Sequence, residues 1–146
     1  MTALTVGLRG RLADTDEDRA AATVALASFL ADVRLYESQG SMLPQQDAVL
    51  VAGAGLVYGD LLARAGRDDQ AREAWQTAGN RIRPIADRMI PAAMTQLGLI
   101  DLRLGSSQDA RAWAEKVGRT TYRHPAFADL QQRLGPTQQA GDAIRP

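Results

Sequence analysis

The 146-residue chain contains no cysteine, a single histidine, His124, and a single lysine, Lys116. Without cysteine it has no disulfide, no thiolate metal ligand and no cysteine nucleophile. Aromatic residues make up only 5% of the chain, and 17 acidic residues balance 17 basic ones. Because neither sign of charge is in excess, the composition gives no global field that would attract nucleic acid or an anionic membrane.

Long apolar runs are also missing. No stretch approaches the roughly 18 to 20 uninterrupted apolar residues of a membrane span, so we expect none. The first residues, MTALTVGLRGRLADTDED, lack a long apolar region and turn acidic early, which is not typical of a secretory signal. A cytoplasmic location is slightly favoured over a periplasmic one, which would require that a signal had been removed.

Alanine is abundant and β-branched residues are scattered, so the sequence predicts an all-α fold. In the first helix, six apolar positions follow the spacing of one buried stripe: Ala22, Leu26, Phe29, Leu30, Val33 and Tyr36. Between Gly79 and Pro91, two prolines interrupt the pattern, and only a short helix is expected. Caps, glycines and prolines bound the other helices, which we predict at about 14–37, 45–65, 68–78, 91–104, 107–118 and 126–134.

An internal repeat organises the middle of the chain. Leu56–Gly79 aligns without a gap with Thr95–Gly118. Each copy carries a mid-helix glycine where another helix can approach, a turn glycine, and a small alanine on the second helix. The identical pairs are Gly59/Gly98, Arg64/Arg103, Gly66/Gly105, Ala71/Ala110, Arg72/Arg111 and Gly79/Gly118. The repeat therefore predicts two helical hairpins in tandem.

These two units resemble the tetratricopeptide repeat (TPR) family. The first unit supplies Tyr58-Gly59, Gly66, Ala71, Trp75 and Ala78, and the second supplies Leu97-Gly98, Gly105, Ala110, Ala114 and Val117. Two departures are evident: Ala114 replaces the second aromatic, and the repeat period is longer than the family's by about five residues. The resemblance covers about half the chain. It implies antiparallel hairpins stacked as a short right-handed solenoid with a concave groove.

The resemblance also suggests how the chain is divided. Residues 1–44 form an N-terminal helical segment in which Leu8, Leu12, Ala21, Ala25 and Ser28 give a faint half-match to an earlier, degenerate unit. Residues 45–134 hold the two repeats and a C-terminal capping helix. The tail, residues 135–146, has little to bury and is expected to be mobile.

The stretch VLVAGAGLVYG, from Val49 to Gly59, superficially resembles a dinucleotide-binding turn. The strict G-x-G-x-x-G spacing is broken, and the following region, where a second strand would be needed, is a helix without strand character, so no βαβ unit exists. We interpret the stretch as a close-packed helix, with Gly53 and Gly55 facing the first helix. His124 is interpreted as a helix-entry residue, and no cofactor, metal or catalytic site is predicted.

Arg64 and Arg103 fall at the same repeat position, near the end of the first helix of each pair. In TPR-type solenoids these helices line the groove that receives peptides, and two guanidinium groups one repeat apart could bind carboxylates. The alternative is that each arginine covers the carbonyl groups at its helix C-terminus. On the family's pattern the partner-binding residues would be Leu56, Asp60, Arg64, Thr95, Leu99 and Arg103.

The function expected from these observations is a non-enzymatic protein–protein interaction or scaffold module that binds a peptide or partner helix, such as the terminal domain of a larger bacterial protein. Two alternatives remain open. One is a homo-oligomerising structural domain that associates through its N-terminal helix. The other is a helical-bundle enzyme or small-molecule sensor, which would require a buried polar cluster.

Overall fold

The computed structural model describes residues 15–136. Within this range the chain is about 80% helical and has no strand. The prediction of an all-α fold is therefore confirmed, and six helices packed against one another are compatible with a helical repeat. They are α1 (Asp16–Ser38), α2 (Gln45–Arg64), α3 (Asp68–Ala86), α4 (Pro91–Arg103), α5 (Ser107–Gly118) and α6 (Pro125–Leu134).

Local sequence signals explain most of the helix ends. Thr15 caps α1, since its hydroxyl accepts a hydrogen bond from the Asp18 amide at 3.1 Å. The turn glycines of both hairpins adopt left-handed conformations, with φ of 73° at Gly66 and 85° at Gly105. His124 caps α6, because its Nδ1 accepts from the Ala126 amide at 3.1 Å. The prediction that His124 is a helix-entry residue is confirmed.

Helix α3 is longer than predicted. It continues through Pro84 to Ala86, whereas the sequence suggested a helix to about Ala78 followed by a separate short one. Proline removes one helical hydrogen bond, but the segment around it buries Ile82, Ile85 and Ala86 in the main core. This burial offsets the local cost of the proline, and the extension of α3 accounts for much of the extra length of the first repeat.

The contacts between helices define their directions. Helices α2 and α3 are antiparallel, because Gly55 faces Ala78 while Gly59, farther along α2, faces Trp75. Helices α2 and α4 are parallel, since Gly53 faces Gln96 and Asp60, farther along α2, binds Arg103. The backbones of α2 and α4 approach each other, as do those of α4 and α6. These three helices therefore lie in one row.

Another side chain packs closely against each mid-helix glycine, but for two of them it comes from a different helix than expected. A Cβ on Gly59 would overlap the indole of Trp75, and one on Gly98 would lie 2.8 Å from a methyl of Leu130. The expectation of close packing against α1 was wrong: the nearest side chain to Gly53 is Gln96 of α4, and the nearest to Gly55 is Ala78 of α3. These neighbours are set by tertiary packing, which local spacing does not encode.

Helix α1 is attached through a small core of its own. Ala22 and Leu26 pack with Ala54, Val57 and Leu61 of α2, separately from the main core. The predicted stripe is only partly buried: Ala22, Leu26 and Val33 are buried, whereas Tyr36 is 46% exposed. Tyr36 was predicted to be buried, and it is exposed because, among the described helices, the backbone of α1 approaches only α2.

Two sequence predictions lie outside the described residues. Leu8 and Leu12 of the faint N-terminal half-match precede residue 15, and most of the predicted tail follows residue 136. The boundaries at residues 44 and 134 coincide with the ends of the loop before α2 and of α6.

Candidate partner-binding groove

Helices α2, α4 and α6 enclose a groove of about 330 Å³. Five of the six residues predicted to bind a partner line it, and the sixth, Thr95, does not. Because α2 and α4 are parallel and adjacent, both helices contribute side chains to the same space. The lining consists of Leu56, Val57, Asp60, Leu61, Arg64, Leu99, Arg103, Pro125, Ala126, Asp129 and Arg133.

The floor of the groove is apolar and belongs to the packed interior. Leu56 and Leu99 are each only 3% exposed, so they give the floor its shape and offer a small contact area. Thr95 is buried, and its hydroxyl donates to the carbonyl of Pro91 at 2.8 Å within α4. A direct contact between Thr95 and a partner would require movement of α4.

Arg103 is held by an internal ion pair. Its Nε donates to Asp60 Oδ1 at 3.1 Å and its Nη2 to Asp60 Oδ2 at 3.0 Å, a bidentate contact that joins α4 to α2. Its Nη1 also donates to the Leu99 carbonyl at 3.3 Å, near the end of α4. Arg103 thus binds a carboxylate of its own chain and also contacts a carbonyl near the helix C-terminus, the second of the two roles considered from the sequence.

Arg64, at the equivalent position of the first repeat, has a different environment. It is exposed, lines the groove, and has no hydrogen-bond or ion-pair partner among residues 15–136. The neighbour that binds Arg103 comes from the preceding parallel helix, and within the described range no such helix precedes α2. Two arginines at one repeat position therefore differ in that one already holds a carboxylate and the other does not.

The wall formed by α6 was missed by the sequence analysis. It contributes Pro125, Ala126, Asp129 and Arg133, of which the last two form an exposed ion pair at 2.9 Å. A signal for it was present in the sequence, because Pro125 follows Pro91 at a spacing equal to the family's own repeat period. Aligning those prolines would have placed α6 at the position equivalent to α4, since each helix begins with a proline.

A second, smaller groove of about 180 Å³ lies between α1 and α3, above Gly55, Tyr58 and Leu62 of α2. Arg81 of α3, which lines this groove, donates to both carboxylate oxygens of Glu37 on α1, at 3.1 and 2.7 Å. The hydrogen bond from Arg81 is the main reason that the pKa of Glu37 lies below its ordinary value. This pair is a polar link between α1 and α3.

One carboxylate is buried outside both grooves. Asp101 of α4 is 3% exposed and accepts a hydrogen bond from the indole of Trp113 on α5 at 3.2 Å. Arg83 of α3 lies 3.6 Å from its other oxygen. Burial raises the pKa of Asp101 against the opposing effect of Arg83. The cluster joins three helices, and both oxygens of the carboxylate already have partners, so its geometry is that of an interhelical contact.

Other features bear on the alternatives raised by the sequence. Among residues 15–136, no three His, Asp or Glu side chains are grouped so that they could hold a metal ion. Helix α2 is long and apolar enough to cross a membrane by length and composition, with a mean hydropathy of 1.2, but core helices pass the same test and α2 packs against α1, α3 and α4. Comparison with protein-family models, curated proteins and solved structures found no match.

Proposed function

We propose that this chain is a TPR-like helical repeat module that binds a peptide or a partner helix in the groove between α2, α4 and α6. The row of parallel helices supports this proposal, because stacked repeats use the first helix of each pair to form an elongated concave surface. The groove combines an apolar floor with charged side chains along its rim, which suits an amphipathic segment.

The observation that carries the proposal is the difference between Arg64 and Arg103. Asp60 shows how a guanidinium at this repeat position binds a carboxylate, with two parallel hydrogen bonds. Arg64 presents the same group to the groove without an internal partner among the described residues. We therefore expect the bound segment to carry an Asp or Glu that contacts Arg64, next to apolar side chains that rest on the floor.

A displayed library of random peptides selected against the full-length chain tests this proposal. Selected sequences should be enriched in acidic residues flanked by apolar ones. Arg64→Glu reverses the exposed charge in the groove and should weaken binding of a selected peptide by roughly tenfold to a hundredfold, as expected for loss of a charged contact. Ala126→Trp, which fills the groove from the α6 wall, should weaken it as well.

Arg72→Glu is the matched control, because Arg72 is also an exposed arginine, lies on α3 and does not line the groove. It makes the same change in net charge and should leave the affinity unchanged. Selected peptides that bind Arg64→Glu and Ala126→Trp as tightly as the wild-type protein would refute the groove assignment.

A further inference from the structure

The first and the last of the described helices differ in the surface that they present to solvent. At the C-terminal end, α6 exposes Gln131, Gln132 and Arg133, which point in different directions around the helix, together with the small Ala128 and no large apolar side chain. At the other end, α1 exposes large apolar side chains: Val24 is 70% exposed and Leu35 is 60% exposed. A helical stack needs polar outer faces at its ends to stay soluble, so the outer face of α1 requires a cover.

The exposed and half-buried apolar residues of α1 that face away from α2 form one band, of which Ala27 and Ala31 also line the groove between α1 and α3. We call it the α1 stripe; its members are spaced by three or four residues and lie opposite the buried Ala22, Leu26 and Val33. No charged residue interrupts the stripe. Its members are Ala20, Val24, Ala27, Ala31 and Leu35.

We propose that a second copy of this chain covers the α1 stripe, with the two α1 helices antiparallel and related by two-fold symmetry. Three of the five stripe residues are alanines, which allow two helix axes to approach to about 8 Å. A two-fold axis level with Ala25 and Leu26 places Ala20 opposite Ala31 and Val24 opposite Ala27. The same surface then serves both copies, as a two-fold interface requires.

Charge selects the antiparallel arrangement. The spacing between Asp16 and Arg34 corresponds to about five full helical turns, so both flank the stripe on the same side. In an antiparallel pair, Arg34 of each copy lies beside the acidic first turn of the other, which holds Asp16, Glu17 and Asp18. A parallel pair would bring the two acidic first turns to the same level and leave Arg34 of each copy far from the acidic turn of the other, so this attraction would be lost.

The charged groups are available for this contact. Arg34 is exposed at the edge of the groove between α1 and α3 and has no ion-pair or hydrogen-bond partner among the described residues. Asp16 binds Arg19 three residues along α1, but its side chain is 98% exposed, and ion pairs of this kind contribute little. Replacing the contact of Asp16 with Arg19 by a contact with Arg34 of the second copy therefore costs little. The symmetric dimer contains this new contact twice.

Sedimentation velocity of the full-length chain over a concentration series tests the proposal, and we expect a concentration-dependent shift from monomer to dimer. Val24→Glu places a charge at the centre of the contact in both copies and should raise the dimer Kd by roughly tenfold or more. Met42→Glu is the matched control: Met42 is 89% exposed in the loop after α1 and lies off the stripe, so its variant should dimerise like the wild-type protein.

The orientation has its own test. Arg34→Glu and Asp16→Arg should each weaken the dimer, and the combination of both should restore it, because the charge pairs are then re-formed with exchanged signs. Far-UV circular dichroism checks that each variant keeps its helix content. A wild-type chain that stays monomeric at every concentration, or a dimer that Val24→Glu leaves intact, overturns the proposal. Failure of the double variant to restore a dimer that both single variants weaken overturns the antiparallel arrangement.

The α1 stripe is independent of the groove between α2, α4 and α6. Val24→Glu should therefore leave the affinity for a groove-selected peptide unchanged, while Arg64→Glu should leave the dimer Kd unchanged. Measuring both the peptide affinity and the dimer Kd therefore distinguishes the failure of one proposal from the failure of the other.

Discussion

The hairpins α2–α3 and α4–α5 carry a glycine at the same repeat position, but different groups occupy the space above it. In the first hairpin, the indole of Trp75 lies against Gly59, and its Nε1 donates to the Leu56 carbonyl at 3.3 Å. In the second hairpin, Leu130 reaches Gly98 from α6, and the β-carbon of Trp113 lies nearby. The side chain nearest to Gly59 therefore comes from the same hairpin, whereas the one nearest to Gly98 comes from α6.

The tryptophans follow the same division. Trp75 is partly exposed, and its hydrogen bond ends on a backbone carbonyl. Trp113 aligns in the repeat with Ala74 and not with Trp75; it is 8% exposed and binds the buried Asp101. Both units have a glycine against which another side chain packs closely. The identity of that side chain differs, because α6 lies beside Gly98 and supplies Leu130 there. The hairpins can be distinguished experimentally on this basis.

The largest effect is expected at Leu130, which is fully buried and links the second hairpin to α6. Leu130→Ala should lower the free energy of unfolding by about 2–5 kcal/mol, the usual cost of a core cavity. Gly98→Ala added to it should recover part of this loss, since the new methyl enters the vacated space and improves helix propensity by roughly 1 kcal/mol. Urea unfolding of the wild-type protein and of these two variants measures both effects; a double variant less stable than Leu130→Ala would contradict the contact.

A smaller effect separates the two glycines in the wild-type background. At Gly59 the new methyl meets the rigid Trp75 ring, so Gly59→Ala should cost about 1–3 kcal/mol. At Gly98 it meets the flexible end of Leu130, and the gain in helix propensity offsets most of the strain, so Gly98→Ala should cost less than about 1 kcal/mol.

The matched control for this pair is Gly59→Ala in a Trp75→Ala background, where the obstructing ring is gone. There the glycine substitution should become neutral or stabilising, which double-mutant thermal or urea unfolding can measure. Equal costs at Gly59 in both backgrounds would mean that the indole is not what requires the glycine.

The sequence predicted most of the local structure because local chemistry determines it. The turn glycines Gly66 and Gly105 need left-handed backbone, and a proline at the first position pre-organises α4 and α6. The path of α3 through Pro84 was not predictable in this way. The local penalty of proline favours a break there, and the burial of Ile82 and Ile85 that outweighs it is known only once the helices are assembled.

The candidate groove was only partly predictable for a similar reason. The repeat and the family resemblance together placed six residues on one face, and five of them line the groove: Leu56, Asp60, Arg64, Leu99 and Arg103. The bond between Asp60 and Arg103 was missed because their separation along the chain exceeds the repeat period by about one helical turn. A residue of α2 therefore faces a residue of α4 that lies about one helical turn beyond its equivalent position in the repeat. Thr95 shares the repeat position of Leu56 but is turned into the core.

The smallest expected effects come from two carboxylates whose pKa values shift in opposite directions. Burial raises the pKa of Asp101, in the second hairpin, above its ordinary value of 3.8, so the folded state binds this proton more tightly than the unfolded state. Its contribution to stability is therefore largest at low pH and is lost as pH rises through the folded pKa. The hydrogen bond from Arg81 lowers the pKa of Glu37 below 4.5, so its contribution is present above that pH and is lost as pH falls through the folded pKa.

Urea unfolding of the wild-type protein, Asp101→Asn and Glu37→Gln between about pH 7 and pH 3 isolates these contributions, because other carboxylates titrate equally in all three. As pH falls, the stability of the wild-type protein should rise relative to Asp101→Asn and decrease relative to Glu37→Gln. The two difference curves should thus slope in opposite directions. Parallel curves would mean that the two carboxylates share one kind of environment, and that the link from α1 to α3 and the buried contact of α4 with α5 are not electrostatically distinct.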